Sequence, residues 1–176
     1  MAQTHGIVAI GTVSTPEKLA FAKAYGARQL ILREPPSKKS VWVKAEVSRL
    51  TNGVGVDLVL DHVGGTGFTA QLELLAPLGT LLSYNALAGL PDENLLGAMR
   101  ALLGKSLGVR CYSIHSLDSV PTKRAELMKK GLALMASGAV KAPRATLMPL
   151  SQAVQAHHML DTGNTLGKIV LLPDDL

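Results

Sequence analysis

The chain of 176 residues contains little of what marks several protein classes. Its single cysteine, Cys111, excludes an internal disulfide and a zinc cluster built from the cysteines of one chain. Aromatic residues make up only 3% of the chain, which leaves few side chains for stacking on nucleic-acid bases. No apolar run approaches the ~20 residues of a membrane span, and the first residues lack the basic and apolar regions of a signal peptide. We therefore expect a cytoplasmic protein that does not bind membranes.

The net charge of +5 favours an anionic partner. Lysine and arginine are scattered along the sequence and form no continuous stripe, so nucleic acid is not the expected partner. A phosphorylated small ligand accounts for the same charge. The hydrophobic content of 47% is typical of a globular domain, and the length suits one buried core.

Apolar segments rich in Val, Ile and Leu alternate with helix-like segments. The predicted strands are Ile7–Val13, Gln29–Arg33, Val56–Asp61, Thr80–Tyr84 and Val109–Ile114. The predicted helices are Pro16–Tyr25, Ser40–Leu50, Phe68–Leu75, Glu93–Leu103 and Pro121–Ser137. Strands without polar alternation, separated by helices, predict a parallel sheet covered on both faces. After a break at Pro149, a further helix over Ser151–Leu160 and a final strand over Lys168–Leu172 are expected.

The start of the chain is typical of the second strand and second helix of a dinucleotide-binding domain. Only Met1–His5 precede this strand, so the first strand and its glycine-rich turn have no room within the sequence. The expected fold class is α/β: a partial Rossmann-type doubly wound parallel sheet that lacks this strand and turn, plus a short C-terminal helix–strand segment. The expected domains are a truncated nucleotide-binding domain over residues 1–145 and a C-terminal segment over residues 146–176. Met1 is then either a native start or an internal methionine of a longer protein.

A phosphate site is predicted where the first strand meets the first helix. At this point an acidic residue would bind the ribose 2′-hydroxyl of NADH, but the chain offers Ser14, Thr15 and Lys18. Two hydroxyls, a cation and a helix N-terminus suit a 2′-phosphate, and Arg33 at the end of the next strand suits the same group. The pattern favours NADPH over NADH. In the alternative interpretation, Ser14 and Thr15 only cap the helix, and Lys18 is a solvated surface side chain.

A second glycine motif, Gly65–Ala70, matches G-x-G-x-x-A and follows a predicted strand. It is either a pyrophosphate turn or a tight strand-to-helix turn where the backbone passes close to the cofactor. The next strand, ending at Ser83–Asn85, carries no acidic residue, which favours the tight turn.

Other polar and reactive side chains are expected to be structural. Asp61 and His62 are adjacent on a strand and face opposite ways, so a joint proton-transfer role is not expected. His157 and His158 diverge on a helix and have no third metal ligand nearby. Cys111, inside an apolar strand, is expected to be buried.

The chain resembles the cofactor domain of NADPH:quinone oxidoreductases, which are similar to zeta-crystallin and form the zinc-free branch of the medium-chain dehydrogenase/reductase superfamily. The segments that carry the resemblance are Gly11–Lys18, Gly55–Gly65, Leu75–Tyr84, Pro149–Ala153, Ala156–His157 and Gly167–Leu171. They run in the family's order over essentially the whole chain.

The resemblance implies roles for particular residues. Ser14, Thr15 and Lys18 match the family's 2′-phosphate contacts, and Arg33 lies where a further phosphate contact is found. The turn over the cofactor ribose corresponds to Val63 and Gly64. The strand end near the nicotinamide corresponds to Ser83, Tyr84 and Asn85, with Tyr84 in place of the more usual Phe. The strand around Val109–Ser113 resembles the edge strand through which such proteins dimerise.

The family reaction is hydride transfer from NADPH to a quinone or a similar electron-poor acceptor. The family's N-terminal catalytic domain, which builds most of the quinone pocket, has no counterpart in this sequence. The chain is therefore expected to be the cofactor-domain part of such an oxidoreductase, without activity by itself. The alternative is a stand-alone, non-catalytic α/β module that binds nucleotide or dimerises.

Overall fold

The computed structural model describes residues 1–33 and 39–174 and shows a mixed α/β protein with parallel strand pairs. This architecture agrees with the predicted fold class. The chain divides into two compact units. Unit 1 consists of Met1–Leu30 and Met128–Leu176, and unit 2 consists of Ile31–Leu127.

The bounds of most elements lie within a few residues of those expected. The described α-helices are α1 (Pro16–Ala24), α2 (Lys39–Leu50), α3 (Leu95–Ala101), α4 (Pro121–Ala136) and α5 (Ala153–Asp161). The described strands are β1 (Ile10–Val13), β2 (Gln29–Leu32), β3 (Val56–Asp61), β4 (Leu75–Ser83), β5 (Gly108–Cys111), β6 (Ala145–Pro149) and β7 (Lys168–Leu172). Short 3₁₀ helices span Ala2–His5, Thr69–Leu74, Leu103–Lys105, Ile114–Leu117 and Leu150–Gln152. Of these helices, none that the structure describes is long and apolar enough to cross a membrane.

Unit 2 contains a three-stranded parallel sheet with the strand order β3-β4-β5. The side chains of Val59, Leu81 and Val109 lie in register across the sheet and so share one face. That face packs on the buried cluster of Phe68, Leu72, Leu75 and Leu81 and on apolar side chains of α3, namely Leu95, Ala98 and Met99. The core of unit 2 is therefore on one side of its sheet.

The opposite face of this sheet is more open among the described residues of unit 2. Leu58 and Leu60 lie on it and remain 50% and 61% exposed. Within unit 2, the 3₁₀ helix Thr69–Leu74 and α3 both pack against the same side of the sheet, so the described residues of this unit supply one covering layer.

In unit 1, helix α1 begins where its sequence predicts. Thr15 is the N-cap and Pro16 occupies the first turn, where a missing N–H costs nothing. The strand β6 is absent from the sequence-based expectation, which placed only a break at Pro149. This proline is the last residue of β6, and it lies opposite Leu172 of the parallel strand β7. The expected domain boundary, residues 145 and 146, falls at the start of β6 and stays a prediction.

Two local expectations in unit 2 are wrong. The segment predicted as a helix over Phe68–Leu75 is a 3₁₀ helix that ends at Leu74, and β4 already begins at Leu75. The early part of β4 is irregular, because its register shifts between Leu75 and Thr80 and Leu78 has a positive φ of 63°.

The second wrong expectation is the burial of Cys111. This residue is exposed because it ends the short outer strand β5, where no neighbouring element covers it among the described residues.

Candidate functional site

The predicted phosphate site lies at the start of α1 in unit 1. The Thr15 hydroxyl accepts a hydrogen bond from the Lys18 backbone N–H at 3.2 Å, so Thr15 caps the helix. The Lys18 Nζ donates to the Ser14 Oγ at 3.3 Å. The structure thus combines the two interpretations: Thr15 is engaged as a cap, while Ser14 and Lys18 form an exposed pair of a hydroxyl and a cation.

An acidic side chain stands at the same helix end. Glu17 lies in the first turn of α1, where a negative charge interacts favourably with the helix dipole. Its own backbone N–H and then the Thr15 hydroxyl hold the pKa of the Glu17 carboxyl below its usual range, while burial acts weakly in the opposite direction. The helix end is therefore already provided with an anion, and the exposed pair of Ser14 and Lys18 lies beside it.

The Lys18 ammonium also lies beside the end of α5, within unit 1. A methyl group added at Gly163 would lie 3.5 Å from the Lys18 Nζ. Gly163 has a positive φ of 68°, and its N–H donates to the carbonyl of Leu160 as the helix terminates. A cation is favoured at this end of a helix, because the last carbonyl groups carry partial negative charge.

Arg33, the fourth predicted phosphate contact, directly follows β2 and is exposed. It belongs to unit 2, whereas Ser14, Thr15 and Lys18 belong to unit 1. Its role in phosphate binding stays a prediction.

In unit 2 the carboxyl ends of β3 and β4 meet, because Asp61 and Ser83 lie opposite each other in the parallel register. Asp61 is only 6% exposed, and its carboxylate is fully engaged. The N–H of Gly64 donates to Oδ2 at 2.9 Å, and the side-chain amide of Gln71 donates to Oδ1 at 3.2 Å. A longer bond of 3.4 Å comes from the N–H of Val63. Asp61 thus shapes the turn after β3, as its expected structural role requires.

The turn is fastened to the segment that follows β4. The carbonyls of Asp61, His62 and Val63 accept hydrogen bonds from the N–H groups of Tyr84, Leu87 and Ala88, and the N–H of Gly65 donates to the carbonyl of Gly89. This close approach requires glycine. Gly64 has a φ of 64°, and a Cβ there would lie 2.6 Å from the carbonyl oxygen of Gly89.

The predicted cofactor-contacting side chains of unit 2 line this junction. Tyr84 is 49% exposed and stacks on the exposed ring of His62, with ring centroids 5.9 Å apart. Val63 is also exposed. The Ser83 hydroxyl donates to the carbonyl of Asn85 at 3.4 Å, while the Asn85 side chain accepts from the following N–H at 2.9 Å. The sequence analysis did not predict the His62–Tyr84 pair. These two side chains meet because Asp61 and Ser83, the residues before them, are paired in the strand register.

The Gly65–Ala70 motif forms a tight turn, and its N–H groups face a carboxylate. Gly67 N–H donates to Glu93 Oε1 at 2.6 Å, and Thr69 N–H donates to Glu93 Oε2 at 2.7 Å. These bonds hold the pKa of Glu93 below its usual range; the largest effect comes from the Thr69 N–H, followed by the Gly67 N–H and the Thr69 hydroxyl, against a weaker opposing effect of burial. Sequence reasoning placed Glu93 only at a helix start and missed this contact, because its partners lie 24 and 26 residues away.

The comparisons with known proteins place this geometry in a family. A family model described as zinc-binding dehydrogenase matches residues 25–171, which is most of the chain. The chain belongs to this family. Among the residues that the structure describes, no group of three or more His, Cys, Asp or Glu side chains is placed to hold a metal ion. Independence from zinc stays a prediction.

The resemblance to quinone oxidoreductases is confirmed by specific relatives. The chain is 29% identical to the quinone oxidoreductase of Pseudomonas aeruginosa over 98% of its own length and 51% of the relative's. It is 31% identical to the 2-haloacrylate reductase of a Burkholderia species, over 96% of this chain and 49% of that protein. The Escherichia coli quinone oxidoreductase, solved in complex with NADPH, superposes with a TM-score of 0.83 at 28% identity, over 98% of this chain and 51% of that one.

These comparisons confirm the Rossmann-type fold and, at the level of the family, NADPH as cofactor. The chain spans about half the length of the curated relatives it matches.

The geometry of the turn predicts the effect of Gly64→Ala. The new Cβ would collide with the carbonyl of Gly89 and would also require a strained backbone, so we expect a loss of roughly 2–4 kcal/mol in the free energy of unfolding. Gly53→Ala is the matched control, because Gly53 also has a positive φ but has open space around it. For Gly53→Ala we expect a loss of only about 1 kcal/mol in the free energy of unfolding. Urea unfolding of both variants measures the difference, and equal losses would show that the contact with Gly89 is absent.

Proposed function

We propose that this chain is the cofactor-binding part of an NADPH-dependent reductase that transfers hydride to a quinone or another electron-poor conjugated acceptor. The observation that carries the proposal is the contact of the Lys18 ammonium with the Ser14 hydroxyl at the start of α1. A hydroxyl and a cation that converge at the end of a dinucleotide-binding strand suit a 2′-phosphate. The NADPH complex of the E. coli relative supports the choice of cofactor.

Each unit contributes its own residues to the proposed function. In unit 1, the Ser14 hydroxyl donates to the 2′-phosphate, Lys18 neutralises its charge, and Thr15 keeps the first turn of α1 in place. In unit 2, the turn at Val63 and Gly64 lies along the ribose, as the family resemblance implies. Ser83, Tyr84 and Asn85 contact the nicotinamide portion, and Arg33 contributes a further phosphate contact. NADPH, when bound, supplies the hydride from C4 of its nicotinamide ring.

The acceptor is defined by class. A quinone and a 2-haloacrylate, after which the two relatives are named, both present a carbon–carbon double bond conjugated to a carbonyl or carboxylate group. The structure of unit 2 offers the exposed rings of Tyr84 and His62 at the strand ends, where a flat conjugated molecule can stack.

The proposed phosphate site predicts a preference between the two cofactors. Lys18→Ala removes a charge-assisted contact to the 2′-phosphate, so we expect NADPH affinity to fall about tenfold while NADH affinity stays unchanged. Fluorescence titration of the full chain with each cofactor measures both affinities. Lys23→Ala, a change of the same kind in the last turn of α1, is the control and should leave both affinities unaltered.

An equal loss for NADPH and NADH in the Lys18 variant would contradict the phosphate assignment. So would a wild-type chain that binds both cofactors with the same affinity. Glu17 limits the expected preference, since its carboxylate lies at the same helix end and repels a dianion.

A further prediction concerns the enzymatic activity of the isolated chain. By resemblance, most of the acceptor pocket is built by a region that the chain does not share with its longer relatives. We expect the isolated chain to oxidise NADPH with a quinone at less than about one hundredth of the rate of a complete relative, because orientation of both reactants supplies much of the acceleration. NADPH absorbance measures the rate, with the E. coli quinone oxidoreductase as control. A comparable rate would show that the chain builds its own acceptor pocket.

A separate prediction concerns a homodimer that forms through residues 109–113. β5 is the last strand in the order β3-β4-β5, and the N–H of Tyr112 donates to the carbonyl of Ser83 on β4. Because donors alternate along a strand, the N–H groups of Val109 and Cys111 face outward and are available to a second copy.

Cys111→Pro removes one outward N–H without removing a bond to β4. We expect this variant to be monomeric and the wild type to be dimeric in sedimentation velocity at the same concentration. Cys111→Ser keeps the N–H and is the control, which should remain dimeric. Dimerisation of the proline variant, or a monomeric wild type, would contradict pairing through this edge.

A further inference from the structure

Outside the predicted cofactor residues, a pair of short hydrogen bonds joins Glu93 to the turn at residues 65–69. Each carboxylate oxygen of Glu93 accepts one backbone N–H, from Gly67 at 2.6 Å and from Thr69 at 2.7 Å. Short hydrogen bonds to an ionised acceptor are about twice as strong as those between neutral groups. The depressed pKa of Glu93 agrees with this geometry, since the bonds favour the charged form.

Glu93 is fixed from the other side by α3. It directly precedes Asn94, whose side chain accepts the N–H of Gly97 at 2.9 Å and caps that helix. Helix α3 packs through Leu95 and Met99 on the buried cluster beneath the sheet. The Glu93 backbone is therefore anchored to the core, and its carboxylate reaches back to the turn.

The residues between β4 and this anchor form what we call the strap, residues 84–94. Its first half lies along the turn after β3, with backbone hydrogen bonds from Tyr84, Leu87 and Ala88 and one to Gly89. Its second half contains exposed residues such as Leu90, and Glu93 lies near its end. The strap is thus held at its start by backbone bonds and at its end by one carboxylate.

We propose that Glu93 is a positioning residue that fastens the strap to the turn at residues 61–69 and so fixes Gly64, Tyr84 and Asn85 for the cofactor. This inference rests on the proposed function for its second half only. Glu93 itself touches neither cofactor nor substrate in this proposal; it acts through the strap. If Glu93 only capped the 3₁₀ helix Thr69–Leu74, its loss would destabilise that helix and leave the strap in place.

Amide hydrogen exchange of the full chain, with and without Glu93→Ala, tests the first half without any ligand. Loss of both charge-assisted bonds should raise exchange about ten- to hundredfold at Gly67 and Thr69. The proposal also requires a rise of similar size at Gly65 and Ala88, whose N–H groups join the strap to the turn. Leu81, fully buried in β4, should exchange as in the wild type.

Two further variants keep the test decisive. Glu93→Gln retains one acceptor oxygen and should give an intermediate rise in the exchange rate. This variant replaces Glu93→Ala in the test if the alanine variant fails to fold. Asp92→Asn removes one negative charge from the neighbouring residue and should leave exchange unchanged. A rise in exchange confined to Gly67 and Thr69, or no rise at all, would contradict the proposal that Glu93 holds the strap.

NADPH titration of the same variants tests the second half. We expect about tenfold weaker NADPH binding for Glu93→Ala and an intermediate loss for Glu93→Gln, with Asp92→Asn unchanged. If the strap opens in the exchange experiment while NADPH affinity stays the same, Glu93 does not position the cofactor. If the wild-type chain binds no NADPH, the proposed function fails, and the exchange data still decide whether Glu93 holds the strap.

Discussion

The buried carboxylate of Asp61 is the group on which the arrangement at the ends of β3 and β4 depends. A charge that is 6% exposed is costly unless hydrogen bonds replace the water it has lost. The donors available are the N–H groups of the next residues, so the chain must fold back immediately after β3. That fold brings Gly64 and Gly65 against residues 86–89, where no larger side chain fits. The position of the strap therefore follows from satisfying one charge.

Local sequence was sufficient wherever an element is defined by its own residues. The strand Val56–Asp61 is an apolar run that ends at a charged residue, and its bounds were predicted as observed. The final strand, Lys168–Leu172, was also predicted with its observed bounds. The start of α1 was predicted from Thr15 and Pro16, because capping and a fixed φ act over a few residues.

Features that depend on a distant partner were not predictable in this way. The strand β6 has a short and partly polar sequence, and it becomes a strand because β7 pairs with it. Cys111 was expected to be buried because it lies in a predicted apolar strand, yet its exposure is set by its place in the outer strand of the sheet. By contrast, Ser14 directly precedes the N-cap of α1 and Lys18 lies in its first turn, so the local sequence already places these two predicted phosphate residues side by side. The contact of Glu93 with Gly67 has no such local signal.

Two segments with backbone N–H groups suited to an anion illustrate why a glycine motif alone does not identify a phosphate site. The turn at residues 65–69 has the spacing of a pyrophosphate turn, but its donors are bound to the carboxylate of Glu93, which would repel a phosphate. The start of α1 also carries a glutamate, Glu17, but there Lys18 supplies a positive charge beside a hydroxyl. Since donors are present in both segments, the sign of the nearest side-chain charge decides which one can accept an anionic ligand. That criterion favours Ser14 and Lys18 for the proposed 2′-phosphate site, whereas the N–H groups of the second glycine motif bind a carboxylate of the protein itself.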